Sequence, residues 1–220
     1  MSKPKALGDQ LVHALQHFGV DAVIDVGANK GQYGKKLRKH GYGGPIHSFE
    51  PLPDVHEILS ATAEDDSLWF VPDAVAVGDF TGEIELARSN ESDMSSILPQ
   101  SALQKQVSPS SAVSELLLVP MERLDQLVER SKIGGDELFI KLDVQGFEPK
   151  VLAGMDGIWP RVRGLQLEMS LVELYEGETP WRKMIDMMEV RGYFLSLLLP
   201  GYYERKLGRQ LQVDGVFFKS

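Results

Sequence analysis

Residues 23–31 read VIDVGANKG, and the fold of the chain is decided by this stretch. The apolar run at residues 22–26 predicts a short buried strand, and the pattern at residues 32–40 predicts a helix. The glycine-containing turn between them brings backbone N–H groups and the positive end of a helix dipole to one point. The stretch therefore predicts a strand, a ligand-binding turn and a helix in direct succession.

The residues of this turn are suited to close contact with a ligand. Gly27 and Gly31 lack a Cβ, so we expect a ligand to approach the backbone there. Asn29 is one of the few other residue types that adopts a left-handed backbone readily. Nineteen positions after Gly31, a second apolar run ends at Glu50. A carboxylate at that distance accepts hydrogen bonds from a ribose diol, so the ligand is nucleotide-like.

The type of nucleotide follows from what surrounds the turn. The loop reads GANKG rather than the dinucleotide pattern G-x-G-x-x-G, and no Walker lysine–serine pair follows it. Asp25 adds a carboxylate, which suits an ammonium or sulfonium ligand better than a pyrophosphate. We interpret the ligand as S-adenosylmethionine (SAM); the alternative at this point is an ordinary strand-to-helix turn.

Composition limits the class of protein. The 220 residues are 43% hydrophobic and 25% charged, with a formal net charge of -9 and no cysteine. The acidic balance argues against nucleic acid as the main partner. Without cysteine there is no disulfide, thiolate catalysis or cysteine-bound zinc. We expect a cytoplasmic protein, because the N-terminus lacks a signal-peptide core and no apolar run reaches about 20 residues.

Apolar periodicity along the chain predicts alternating helices and strands. The helices fall at residues 7–18, 32–40, 55–63, 123–129, 148–153 and 181–191. The strands fall at residues 22–26, 46–50, 68–77, 84–87, 116–119, 138–143, 164–168, 193–199 and 211–218. Such alternation predicts a mainly parallel sheet with helices on both faces. The strands at 68–77 and 84–87 should form a hairpin, and the last two strands should pair antiparallel.

The least regular stretch is residues 88–114, which are rich in serine and contain two prolines. Long loops in compact domains are usually functional or disordered. We expect either a mobile lid or a substrate loop here, with a solvated connection as the alternative.

Several predicted strands end in or near a carboxylate. Ligands of open α/β sheets bind outside the carboxyl ends of the strands. A row of acids at that edge would suit a cationic cofactor and would allow a metal. These acids are Asp25, Glu50, Asp73, Asp143 and Glu168.

Seven motifs together resemble the FkbM family of SAM-dependent methyltransferases, over about residues 20–220. The motifs are VIDVGANKGQYG, FEP, DAVAVGD, ERLDQLV, KLDVQGFEPKVLAG, LQLEMS and LYEGE. The family more often has Glu at the position of Gln145. The resemblance implies the class I methyltransferase fold, a Rossmann-like three-layer sandwich whose seven-stranded sheet has its last strand inserted antiparallel. It implies one domain, with residues 1–20 as a helical extension.

The resemblance also implies an activity and a set of site residues. The activity is methylation of a hydroxyl on a sugar, a glycolipid or a polyketide-type small molecule. Asp143 would lie beside the transferred methyl group. The cofactor residues would be Asp25, Gly27, Ala28, Asn29, Gly31 and Tyr33 around the methionine part, Glu50 and Pro51 at the ribose, and Asp73 and Ala74 at the adenine.

Methyl transfer to an alcohol benefits from a base or a metal that removes the hydroxyl proton. Asp143 is the first candidate for the base and Glu168 the second. Alternatively, the two carboxylates could hold Mg²⁺, which prefers oxygen ligands. Acceptor contacts are expected from Ser95, Ser96 and Tyr175.

Two other functions remain open from the sequence. A nucleotide-dependent oxidoreductase could use a Rossmann sheet, although G-x-G-x-x-G is absent and the two terminal strands argue against it. A non-catalytic protein with the SAM-binding fold could bind a partner through residues 88–114. The joint presence of Asp25, Glu50 and Asp143 argues against that second alternative.

Overall fold

The computed structural model describes residues 7–219. Apolar residues recur at helical spacing in its helices and form short continuous or alternating runs in its strands. The helices are α1 (Leu7–His17), α2 (Gln32–Lys39), α3 (Pro53–Ala63), α4 (Ala102–Val107), α5 (Leu124–Arg130), α6 (Glu148–Ala153) and α7 (Trp181–Val190). The strands are β1 (Ala22–Val26), β2 (Ile46–Phe49), β3 (Trp69–Phe70), β4 (Ala76–Gly78), β5 (Gly82–Ser89), β6 (Val113–Arg123), β7 (Leu138–Leu142), β8 (Val162–Ser170), β9 (Tyr193–Pro200), β10 (Tyr203–Glu204), β11 (Arg209–Gln210) and β12 (Gln212–Lys219).

The central sheet has seven strands in the order β3-β2-β1-β7-β8-β12-β9. The first five are parallel, whereas β12 runs antiparallel between β8 and β9. The predicted sheet with an antiparallel C-terminal pair is therefore confirmed. β1 and β7 are buried along their whole length, as expected for parallel strands covered on both faces.

Alternate residues of these strands pack into two different cores. Val23 and Phe139 belong to the core that contains α1 and α2, whereas Ile24 and Ile140 belong to the core that contains α5, α6 and α7. Fully burying a side chain of this size stabilises the fold by about 1.5–3 kcal/mol. The two cores hold the central strands rigidly, and with them the loops that follow the strands.

The sheet face toward α1 and α2 changes from apolar to polar along the strand direction. On β1 the residue after Val23 on this face is Asp25, and on β7 Phe139 is followed by Lys141. β8 continues the row with Gln166, which is the register partner of Lys141. Polar side chains thus collect on one face near the carboxyl edge of the sheet.

The prediction of one strand over residues 68–77 is wrong. β3 pairs with β2, the chain then leaves the sheet, and β4 enters a separate three-stranded sheet of order β4-β6-β5. Pro72 lies in the interruption and has no N–H with which to extend a ladder. The predicted hairpin is also wrong, because β6 lies between β4 and β5 and pairs with both.

Residues 88–114 are more regular than expected, since they include α4 and are held by side-chain hydrogen bonds. Ser101 caps α4 by accepting from the Gln104 N–H at 3.2 Å, and its hydroxyl donates to the Glu173 carbonyl at 2.9 Å. Ser89 donates to the carbonyl of Ser111 at 2.9 Å. The lid or substrate-loop role stays a prediction.

The predicted N-terminal helical extension is represented by α1; residues 1–6 lie outside the described residues. Within residues 7–219, no helix has the length and apolar character needed to cross a membrane.

Candidate functional site

A cavity of about 320 Å³ opens at the carboxyl edge of the central sheet. Its size falls within the range of small-molecule sites, about 300–1,000 Å³. The predicted site residues that line it are Gly27, Ala28, Asn29, Tyr33, Glu50, Pro51, Ser95, Ser96 and Asp143. Those that do not line it are Asp25, Gly31, Asp73, Ala74, Glu168 and Tyr175.

The turn after β1 has left-handed backbone at three positions. Gly27, Asn29 and Gly31 have φ values of 74°, 46° and 84°, which confirms the expectation for Asn29. Packing within the protein also requires glycine at positions 27 and 31, and the close approach of a ligand there stays a prediction. A Cβ on Gly27 would collide with the carbonyl of Asp143, and one on Gly31 would lie 3.1 Å from the Trp69 ring.

Asn29 connects this turn to the segment that follows β5. Its side-chain amide donates to the Ser92 hydroxyl at 3.0 Å, and its Oδ1 accepts from the Lys30 N–H at 2.8 Å. Ser92 also lines the cavity. A hydrogen bond between two residues of the cavity wall therefore joins the turn to this segment.

Glu50 is buried and anchored by two backbone donors. Oε2 accepts from the Asn29 N–H and Oε1 from the Leu52 N–H, both at 3.0 Å. Burial raises the pKa of Glu50 to about 7, although the two N–H groups act in the opposite direction. A carboxylate has about four lone-pair positions, so each oxygen can accept one further hydrogen bond from the cavity.

One end of the cavity is apolar. It is lined by Phe49, Leu52, Val75, Ala76, Val77, Leu86 and Ile97. The adenine contacts expected from Asp73 and Ala74 are not found there, because the chain turns toward the second sheet at this point. The Asp73 side chain is 91% exposed and lies 3.5 Å from the Arg130 guanidinium.

Lys141 lies among the charged residues of the cavity, away from its apolar end. Its ammonium lies 3.2 Å from Asp25 Oδ1 and 3.3 Å from Asp143 Oδ2, and it donates to the Gly27 carbonyl at 3.3 Å. Burial favours the neutral amine, but Asp143 and Asp25 outweigh it and raise the pKa of Lys141. Asp25 is fully buried below Lys141, and burial raises its pKa. Asp25 therefore acts on the cavity through Lys141 and not by direct contact.

Asp143 is oriented by Gln145, whose amide donates to Asp143 Oδ1 at 2.8 Å and to Glu168 Oε2 at 3.0 Å. The Tyr175 hydroxyl donates to Gln145 Oε1 at 2.6 Å, which directs the NH₂ group toward the carboxylates. Glu168 also accepts from Gln212 at 2.7 Å, and burial raises its pKa well above the usual range. Tyr175 and Glu168, which do not line the cavity, thus position Gln145, which does.

This arrangement does not fit Mg²⁺ between Asp143 and Glu168. The position between the two carboxylates is taken by the Gln145 NH₂ group, a donor that cannot ligate a cation. Among residues 7–219, no group of three or more His, Cys, Asp or Glu side chains has a geometry suited to a metal.

The two serines on the cavity wall already make hydrogen bonds within the protein. Ser95 accepts from the Ser89 N–H at 3.0 Å. Ser96 donates to the Gln145 carbonyl and accepts from the Leu98 N–H, both at 2.9 Å. These bonds fix the shape of the wall on the side of residues 88–114.

The polar residues of the cavity that the sequence reasoning missed include Lys36, Lys141, Gln166 and Asp214. For the last three, the available signal was a charged or amide side chain between apolar residues of a strand, as in LFIKL, VRGLQLEMS and QVDGVFFK. Asp214 is the register partner of Glu168 across the antiparallel pair. Its place beside the cavity depends on that pairing and could not be read from spacing alone.

Comparison with solved structures identifies the fold. The O-methyltransferase from Bacillus cereus in complex with S-adenosylhomocysteine (SAH) covers 99% of this chain and 83% of its own, with a TM-score of 0.52 and 12% identity. A putative O-methyltransferase from Klebsiella pneumoniae covers 100% and 84%, with a TM-score of 0.55 and 9% identity. At such identities the likeness shows the fold alone, which is that of class I SAM-dependent methyltransferases.

Comparison of sequences defines the family. The model of the methyltransferase FkbM domain matches residues 25–195, and the chain belongs to this family of SAM-dependent methyltransferases. It is 26% identical over 188 residues to the 31-O-demethyl-FK506 methyltransferase FkbM of Streptomyces tacrolimicus, covering 76% of this chain and 72% of that one. It is 27% identical over 182 residues to the 2-O-methyltransferase NoeI of Sinorhizobium fredii, covering 76% and 70%. The methyltransferase interpretation is confirmed over the oxidoreductase alternative.

Proposed function

We propose that the protein transfers a methyl group from SAM to a hydroxyl of a small molecule such as a sugar, a glycolipid or a polyketide-type compound. The observation that carries the proposal is that Glu50 and Asp143 face the same cavity. One is anchored for a ribose diol and the other is available to a hydroxyl acceptor. The names of both curated relatives describe O-methylation, which supports oxygen as the acceptor atom.

The residues present fit SAM. Glu50 has unused acceptor positions for the two ribose hydroxyls, with Pro51 beside it on the wall. The apolar end suits adenine, with Val75, Ala76 and Val77 in place of the expected Asp73 and Ala74. The turn at Gly27, Ala28 and Asn29 leads from the ribose position toward Tyr33.

When bound, SAM supplies an electrophilic methyl group on a sulfonium. In-line placement of the acceptor oxygen is a large part of such catalysis, and in our proposal the acceptor is held against the cavity wall beside Asp143. The base in our proposal is Asp143, because it lines the cavity and is oriented by Gln145 and Lys141. Glu168 is not proposed as the base, since it does not line the cavity and its carboxylate already accepts from the side-chain amides of Gln145 and Gln212.

The first test is calorimetric titration of the purified protein with SAH, with NAD as the control. Micromolar binding of SAH alone is expected. The second step is a screen of mono- and polyhydroxylated compounds with methyl-labelled SAM, with and without Mg²⁺, and with product linkage determined by NMR. Failure to bind SAH, or methyl transfer exclusively to nitrogen or carbon, would refute the proposal.

A further inference from the structure

Two residues of opposite charge on the cavity wall make no direct ion pair with any of residues 7–219. Lys36 on α2 and Asp214 on β12 both line the cavity. Within residues 7–219, neither forms an ion pair shorter than 4.0 Å, in contrast to Lys141 with its two carboxylates. The cavity therefore presents one carboxylate and one ammonium that are not held in a direct ion pair, although Lys36 and Lys141 both act electrostatically on Asp214.

Asp214 is held in place by a short relay of side chains. The Tyr33 hydroxyl donates to Gln166 Oε1 at 3.0 Å, so the NH₂ group of Gln166 is left to donate to Asp214. Burial raises the pKa of Asp214 to about 6, and the nearby Asp143 acts in the same direction. A half-buried carboxylate next to another acid is stabilised by any cation that reaches it.

The lining of the cavity offers a counterpart for each group of SAM. The apolar wall suits adenine, Glu50 suits the ribose, and Asp214 and Lys36 are charged residues of the same lining. The last part of SAM is an amino acid, with one ammonium and one carboxylate on the same carbon. Resting on the proposed function, we propose that Asp214 binds the α-ammonium of the cofactor and Lys36 its α-carboxylate.

The residues expected earlier around the methionine part do not provide this pair of charges. Asp25 is fully buried under Lys141, and Gly31 does not line the cavity. Lys141 already lies between Asp25 and Asp143, so it has no free charge for a ligand carboxylate. Asp143 shares one of its oxygens with that ammonium and the other with Gln145.

The test compares ligands that differ only at the amino-acid end. SAH carries this end, whereas 5′-methylthioadenosine lacks it and keeps adenine, ribose and thioether. Both are titrated calorimetrically into the wild-type protein, Asp214→Asn, Lys36→Met and, as a matched control, Glu57→Gln, which changes an exposed carboxylate of α3 that does not line the cavity. The decarboxylated analogue of SAH, which keeps the amine, separates the two charges. Thermal unfolding of each variant checks that it is folded.

Asp214→Asn is expected to weaken SAH binding about 10-fold or more, with 5′-methylthioadenosine changed less than about twofold. Lys36→Met should weaken the binding of SAH but not of the decarboxylated analogue, and Glu57→Gln should change the binding of neither SAH nor 5′-methylthioadenosine. Equal losses for SAH and 5′-methylthioadenosine, or unchanged SAH binding, would overturn the inference. The inference would also be overturned if the wild-type protein bound SAH no more tightly than 5′-methylthioadenosine. Absence of binding by both ligands would instead refute the proposed function on which it rests.

Discussion

Replacing Glu50 by alanine tests the proposed ribose contact most directly. The structure leaves each Glu50 oxygen one acceptor position toward the cavity after the backbone N–H groups of Asn29 and Leu52 are satisfied. A hydrogen bond to a charged group contributes about 1.5–3 kcal/mol. Loss of two such bonds at the lower value amounts to about 3 kcal/mol, or about a 150-fold rise in the Kd for SAH.

The same residue predicts a pH dependence with a definite sign. Burial raises the pKa of Glu50 to about 7 in the free protein, and the ribose hydroxyls would donate to its ionised form. Binding then releases a proton, so SAH affinity should fall as the pH drops below 7, by at most about tenfold per pH unit. Above about pH 8 the affinity should level off.

The assay is calorimetric titration with SAH between pH 5.5 and 8.5, on the wild-type protein, Glu50→Ala and the matched control Glu57→Ala, an exposed residue of α3. The pH dependence should vanish in Glu50→Ala and persist in Glu57→Ala. A Kd within about threefold of wild type in Glu50→Ala would refute the reasoning, because two charge-assisted hydrogen bonds cannot be lost at so small a cost.

Three further changes test the charged network. Asp143→Asn should lower turnover by about 100-fold or more while the Kd for SAH changes only a few-fold, and unchanged turnover would remove Asp143 as the base. Lys141→Met should lower the free energy of unfolding in urea by about 3–5 kcal/mol at pH 8, because Asp25 is left buried without a cation. This loss should shrink at lower pH as Asp25 becomes protonated, and a pH-independent loss would contradict the electrostatic cause. EDTA should leave wild-type turnover unchanged, and inactivation by EDTA would show that the wild-type site holds a metal. By contrast, Gln145→Glu should bind Mn²⁺ in EPR titrations, because a carboxylate then replaces the NH₂ group between Asp143 and Glu168.

Local sequence patterns determined much of the architecture. The apolar runs of β1 and β7 and the glycine turn were readable because a strand buried on both faces requires continuous apolar residues. The sequence also predicts the left-handed backbone of Asn29 and the position of Glu50 at the end of a strand. Both are properties of a single residue and its immediate neighbours in the chain. Residues 68–77 were misread because an apolar run does not reveal whether its two halves pair with the same sheet.

The tertiary structure alone decided which polar groups meet. Strand register and the turn after β7 bring together residues 145, 168, 175 and 212. The sequence therefore could not show that Gln145 donates to two acids, or that this arrangement does not fit Mg²⁺. The same reason explains why Asp73, a predicted site residue, is exposed outside the sheet, whereas Asp214, which was not predicted, lies on the cavity wall. Asp214 is placed there by the antiparallel pairing of β12 with β8. Sequence spacing specifies which side chains share a strand or helix, whereas the distance between charges on different strands depends on register and sheet order.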